Sequence, residues 1–162
     1  MLKVLKEFQN LPRFPDGRIN YSLSSRAPAI ICFVKYKDKI LILKRSDKVN
    51  AYKGKWNSVG GYIDEDKPVK EKVLEELREE LKIDKDLIRE VREGKSYEVH
   101  DKSINKTWII FPFLVELNKE PTITLDFEHT DFKWIKPDEL SNYDVISGLD
   151  EVLRRGLSGN KV

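Results

Sequence analysis

Apolar residues fall into short runs separated by charged or turn-forming residues. Ala29 to Tyr36 and Ile40 to Leu43 are apolar and rich in β-branched side chains, and Lys37-Asp38-Lys39 splits them. That pattern predicts two strands joined as a hairpin. Ile88 to Val99 and Thr107 to Leu117 predict two more strands joined by a polar hairpin, and Phe132 to Ile135 predicts a short one. Residues 44–67, with Gly54, Gly60 and Gly61, read as loop. Val145 to Arg155 predicts a closing helix. Residues 1–27 read as an N-terminal arm of the same domain, with a turn at Pro15-Asp16-Gly17 between two short extended stretches. Residues 28–162 carry the rest. Strands, one central helix, more strands and a last helix predict an α/β fold with helices packed on a mixed sheet.

The central helix is the informative segment. Pro68 to Leu81 opens with proline after Asp64, Glu65 and Asp66, which suits a helix N-terminus. With Val69 at zero and ~100° per residue, Val73, Leu77, Leu81 and Leu74 fall at about 40°, 80°, 120° and 140°. Glu80 falls at about 20° and Glu76 at about 340°, on the edge of that apolar stripe, with Glu79 a further ~60° away. Glu76 and Glu80 are four residues apart, as are Glu75 and Glu79. Such like-charged pairs cost ~0.2–0.5 kcal/mol each on an isolated helix, and a half-buried lone carboxylate costs more. A divalent cation removes both penalties, and oxygen-only donors select Mg²⁺ or Mn²⁺ over zinc. The competing reading is a solvated glutamate face neutralised by Lys70, Lys72, Arg78 and Lys82.

Length and composition narrow the choice. At 162 residues the chain suits one domain with a sizeable core. Charged residues make up 36%, yet the net charge is only +2, which argues against a protein that simply coats nucleic acid. The lone Cys32 forms neither an internal disulfide nor a cysteine-based zinc site, and its apolar neighbours make it a buried thiol. The charged N-terminal stretch predicts no signal peptide, and Ala27 to Val34 and Trp108 to Val115 are too short for the ~18 residues of a membrane span. A cytoplasmic location is the expectation. Lys outnumbers Arg 21 to 9, with one Met, one Cys and one Gln, a composition found in heat-adapted proteins. Charge also changes sign along the chain. Eight basic residues between Lys35 and Lys55 precede eight acidic ones between Gly61 and Glu80. Cations for phosphate followed by carboxylates for metal is one reading; two solvated faces is the other.

Gly60-Gly61-Tyr62-Ile63-Asp64, followed by Glu75-Glu76-Leu77-Arg78-Glu79-Glu80-Leu81-Lys82-Ile83, resembles the Nudix box of the MutT-like pyrophosphohydrolases, G-x5-E-x7-R-E-U-x-E-E-x-G-U with U aliphatic. Gly61 takes the first glycine, Glu76, Glu79 and Glu80 the helix glutamates, and Leu77 and Ile83 the aliphatic positions. Leu41 to Arg45 with Gly54-Lys55-Trp56, and Glu128 to Trp134, resemble the family's approach strand and its downstream metal-ligand loop. The resemblance runs from about Pro28 to Leu153. Four positions depart from the pattern: Lys67 for the first glutamate, Glu75 for the arginine, Lys82 for the last glycine, and Val59 where many members have proline. The family's first glutamate and arginine are thought to pair, so the exchange of charges predicts a reversed Lys67–Glu75 salt bridge. It also removes the arginine that orients the neighbouring glutamate.

The resemblance implies an α/β/α sandwich with a mixed central sheet. It implies Mg²⁺- or Mn²⁺-dependent hydrolysis of a nucleoside diphosphate linked to another moiety (NDP-X), such as ADP-ribose or a nucleoside triphosphate, by activated water. The implied metal ligands are Glu76, Glu79, Glu80, Glu128 and the Gly60 carbonyl, with Glu76 and Glu79 as catalytic residues and Glu76 foremost for the water. Arg45 and Lys55 would bind the diphosphate. Tyr52, Trp56, Tyr62 and Tyr97 are candidates to stack on a base, although such aromatics are more often core. His100 and His129 are not read as ligands, though His129 adjoins Glu128 and is placed to touch substrate. The alternative is a nucleotide-binding or regulatory module whose activity the box departures have weakened. A nucleic-acid-binding protein using Lys35 to Lys55 is disfavoured by the charge balance and by the lack of an RRM, KH or zinc-finger motif. A homodimer through the arm rests on family analogy alone.

Overall fold

The computed structural model describes residues 1–162. Its nine strands are β1 (Arg26–Tyr36), β2 (Lys39–Arg45), β3 (Trp56–Asn57), β4 (Val59–Tyr62), β5 (Ile88–Glu93), β6 (Tyr97–Asp101), β7 (Lys106–Leu117), β8 (His129–Ile135) and β9 (Asn160–Lys161). The helices are α1 (Val69–Leu81) and α2 (Leu149–Leu157). The sheet runs β3-β2-β1-β7-β5-β9, with β4 on β1, β6 on β7 and β8 on β2. It is mixed: β1 lies parallel to β7 over ten residue pairs and antiparallel to β2 and β4.

The uninterrupted apolar run of β1 follows from its central place. Ile30, Cys32 and Val34 face a core shared with Val73, Leu77 and Leu81 of α1. Ala29, Ile31 and Phe33 face the other core, with Leu149, Val152 and Leu153 of α2. A strand covered on both faces loses the apolar–polar alternation of a half-exposed one. The result is the expected α/β/α sandwich.

Four boundaries differ from the sequence expectation. The single strand over 88–99 is two strands broken at Gly94-Lys95-Ser96. Pro112 on β7 explains the break. Its carbonyl accepts from Gly94 N at 2.9 Å, so its nitrogen, which carries no hydrogen, faces the same edge and leaves the ladder short of a donor there. The closing helix begins at Leu149 rather than Val145. The loop over 44–67 contains β3 and β4. The arm is extended on both sides of its turn, where Arg13 bridges antiparallel to Ile19, but Lys3–Phe8 ahead of it forms a 3₁₀ helix. Leu5, Phe8, Ile19 and Tyr21 of the arm are buried in the core on the α1 side. The arm also fixes the segment that leads into α1. Tyr21 donates to Ile63 O at 2.6 Å, and Ile19 N donates to Asp64 O at 3.0 Å.

Candidate active site

α1 packs against β4, and this brings the glycines of β4 to the glutamates of the helix. Glu76 and Glu80 are buried, with 9% and 3% of their surfaces exposed, as their place at the edge of the apolar stripe requires. Glu80 Oε2 accepts from Gly60 N at 3.3 Å. Burial and then the facing Glu76 carboxylate push the Glu80 carboxyl well above its usual range, with Glu128 and Asp126 adding to the rise. Burial also raises Glu76, while Lys72 pulls it back. Glu79 is exposed on the same helix.

Pairing of β2 with β8 brings in the downstream loop. Arg45 lies opposite His129, and Ser46 N donates to Glu128 O at 2.8 Å. Burial first, then Asp126, raises Glu128; Arg45 opposes them. His129 is buried, bonds Asp126 through Nδ1 at 2.9 Å, and turns an unpartnered Nε2 to within 3.6 Å of Glu80 Oε1. The desolvation holds its pKa below the ordinary histidine value, against the pull of Asp126.

Beside this cluster lies a cavity of about 430 Å³. Gly60, Gly61, Arg45 and Glu128 form its polar end, and Tyr52, Tyr62, Tyr97, Trp108 and Phe127 line much of the rest. Tyr62 and Trp108 have ring centroids 5.8 Å apart, tilted by 31°. Arg45 Nε donates to Ala51 O at 2.9 Å, which ties its side chain to the loop over the cavity. Lys55 does not line the cavity; its nearest acid is Asp144, at 3.8 Å. Trp56 is buried in the core beside Tyr143.

The exchanged charges do meet: Lys67 Nζ bonds Glu75 Oε2, and Arg18 stands 3.9 Å from the other oxygen of Glu75. Lys82, in place of the last glycine, caps α1 in the left-handed region at φ 59°.

Sequence reasoning gave Lys72 no role in the site, naming it only in the competing reading of a neutralised, solvated glutamate face. Lys72 is 4% exposed and lies 3.0 Å from Glu76 Oε1 and 3.5 Å from Asp64 Oδ1. Its spacing of four residues from Glu76 was the available signal. Asp101, which accepts from Tyr52 and Ser103, was also missed, and no local pattern announces it.

A family model described as the NUDIX domain matches residues 25–156. The chain belongs to the Nudix family. Nucleoside triphosphatase NudI of Escherichia fergusonii is 28% identical over 130 residues, covering 74% of this chain and 89% of that protein. A MutT Nudix hydrolase from Burkholderia pseudomallei superposes with a TM-score of 0.67 at 21% identity, over 80% of this chain and 97% of that one. The bifunctional NMN adenylyltransferase/ADP ribose pyrophosphatase of Francisella tularensis gives 0.69 at 20% identity, over 82% of this Nudix hydrolase and 41% of that chain. The sandwich fold is that of these neighbours. No helix is long and apolar enough to cross a membrane.

Proposed function

We propose that the protein is a divalent-metal-dependent pyrophosphohydrolase that cleaves the phosphoanhydride of an NDP-X substrate. The observation that carries this reading is the buried Glu76–Glu80 pair under the Gly60–Gly61 edge, next to a cavity whose polar end is Arg45 and Glu128. The comparisons support it. A nucleoside triphosphatase is among the relatives, and an ADP ribose pyrophosphatase is among the structural neighbours.

The donor set fits Mg²⁺ or Mn²⁺. Glu76, Glu80 and Glu128, with the Gly60 carbonyl and the exposed Glu79, offer oxygen alone, and three of the carboxylates are desolvated and mutually repelling. As placed, no three of the acidic or histidine side chains converge on one point. Glu76 leans on Lys72 and Glu80 on Gly60 N, so side-chain shifts accompany loading. When bound, the metal supplies charge neutralisation on the diphosphate and a more acidic water.

The chain's own residues do the rest. Arg45 presents a planar fork to the diphosphate oxygens. Glu76 orients the attacking water and takes its proton. The water oxygen bonds to one phosphorus, the phosphorus–oxygen anhydride bond breaks, and the departing phosphate oxygen leaves with the electron pair. Tyr62 and Trp108 offer ring faces to a base.

The test is a panel of ADP-ribose, nucleoside triphosphates, diadenosine polyphosphates and nucleotide sugars with Mg²⁺ or Mn²⁺, run beside Glu79→Gln and Glu80→Gln. Product release that needs metal and falls at least ~100-fold in Glu80→Gln supports the reading. Equal turnover by wild type and both variants refutes the residue assignment. Nucleotide binding without product would assign the protein instead to a binding or regulatory module.

A further inference from the structure

Lys72 is a buried ammonium on α1 that does not line the cavity. Taking such a group out of water is costly unless it is paired. It has three carboxylate partners: Glu76 Oε1 at 3.0 Å, Asp64 Oδ1 at 3.5 Å and Glu75 Oε1 at 3.8 Å. Asp64 Oδ1 is buried and has no hydrogen-bond donor, so the ammonium is what compensates it. Glu75 is itself held by Lys67 and approached by Arg18. A line of alternating charge therefore runs from Lys67 and Arg18 through Glu75 and Lys72 to Glu76.

At its far end Glu76 is buried, with the Glu80 carboxyl within hydrogen-bonding reach and the like charge of Glu79 nearby. Without a cation, a carboxylate in that setting swings toward water. Position 75, where the family pattern has arginine, carries glutamate, so the chain supplies no cation there.

We propose that Lys72 is the positioning residue of this site: braced by Asp64 and Glu75, it holds the Glu76 carboxylate beneath Gly61, where it meets the reacting water. This rests on the hydrolase reading for its catalytic consequence but not for the placement of Glu76. Lys72 acts through Glu76 and touches no substrate.

The test compares Lys72→Met and Lys72→Arg with wild type, using kinetics on the turned-over substrate, thermal unfolding and crystal structures. Support consists of a folded Lys72→Met with kcat down at least tenfold and KM within twofold. Lys72→Arg should recover much of kcat, and the Glu76 carboxylate should be displaced from Gly61 in the Met variant. An unmoved Glu76 in folded Lys72→Met overturns the proposal. So does unchanged kcat, or an Arg variant as impaired as the Met one. Should Lys72→Met not fold, Asp64→Asn carries the test, since it removes the charge of the other buried carboxylate that braces Lys72; unchanged kcat and an unmoved Glu76 there also overturn it. If wild type hydrolyses no NDP-X compound, the hydrolase reading fails on its own, and the position of Glu76 in the two crystal structures still decides for or against Lys72.

Discussion

Gly61 and Glu76 are so close that a Cβ built on Gly61 would stand 2.5 Å from Glu76 Oε1. The backbone of Gly61 does not lie in the left-handed region, so alanine is compatible with its conformation. Only the carboxylate is in the way, and it sits at the end of a flexible side chain. Gly61→Ala is therefore expected to keep the fold: the ~0.5–1 kcal/mol that a strand glycine costs relative to alanine offsets part of the loss from pulling Glu76 Oε1 off buried Lys72. Hydrolysis should nevertheless fall at least ~10-fold, the size of a catalytic group shifted by about an ångström. Thermal unfolding and steady-state kinetics on the same sample check it; full activity would show that the seat of Glu76 beneath Gly61 is immaterial.

Lys82 is a second place where side-chain size and backbone conformation disagree. It ends α1 at φ 59°, its N–H bonding the carbonyls of Arg78 and Leu77, and Ile83 N donates to Leu77 O at 3.2 Å. A non-glycine residue in the left-handed region costs roughly 1–2 kcal/mol. Lys82→Gly removes that cost and is expected to stabilise the fold by about 1 kcal/mol in chemical denaturation. No gain would mean that the Lys82 side chain, whose Nζ lies 3.3 Å from Glu79 O, offsets the strain.

What the sequence revealed, and what it hid, follows from the range of the interactions. The helix period alone placed Glu76 and Glu80 at the core edge, because both lie within three turns of Val69 and need no tertiary partner to be located. The contact of Lys67 with Glu75 was legible only through the family pattern, in which the two positions are thought to pair. Lys72 was missed because its burial depends on Asp64, which the arm pins through Ile19 N, a contact that no local pattern encodes. The break between β5 and β6 depends on which edge of β7 Pro112 faces, and that is set by register. Lys55 follows Gly54 as the family pattern suggests, yet the parallel bridge of Trp56 to Val145 carries it toward Asp144.

The buried carboxyls give the stability of the metal-free protein an unusual pH dependence. Glu80 is held above its ordinary value, first by burial and then by Glu76, so the folded state keeps a proton that the unfolded chain releases more easily. A raised carboxyl contributes its full share of stability below the unfolded pKa of about 4.3 and loses it as pH climbs through the folded one. Melting temperature in the presence of EDTA is thus expected to fall as pH rises above the unfolded carboxyl value, more steeply in wild type than in Glu80→Gln. At pH 8, Mg²⁺ should restore wild type by about 1–3 kcal/mol at concentrations well above its Kd and help the variant less. Parallel pH profiles for the two proteins would contradict the burial argument.

Tyr52 is part of the cavity wall. It stands on the loop after β2 at φ 59° and donates to Asp101 Oδ2 on β6 at 2.5 Å, while Trp108 Nε1 donates to its hydroxyl at 3.3 Å. Burial, and then Asp101, push its hydroxyl up to about 12, so it is a neutral donor across the working pH range. Hydrogen bonds from Ser103 and from Tyr52 hold Asp101 below its usual range as a charged acceptor. A bond to a charged group contributes about 1.5–3 kcal/mol, more than a neutral one. Tyr52→Phe keeps the ring that lines the cavity and deletes the tie to Asp101 together with the longer bond from Trp108. Glu76 and Glu80 do not line the cavity, and the Tyr52 hydroxyl bonds neither of them. The expected outcome is a KM raised about 10-fold with kcat within threefold, because the loop that carries Arg45's partner Ala51 is less well held while the carboxylates stay in place. The reverse pattern, kcat falling at constant KM, would place Tyr52 in the chemistry and not in the wall of the binding cavity.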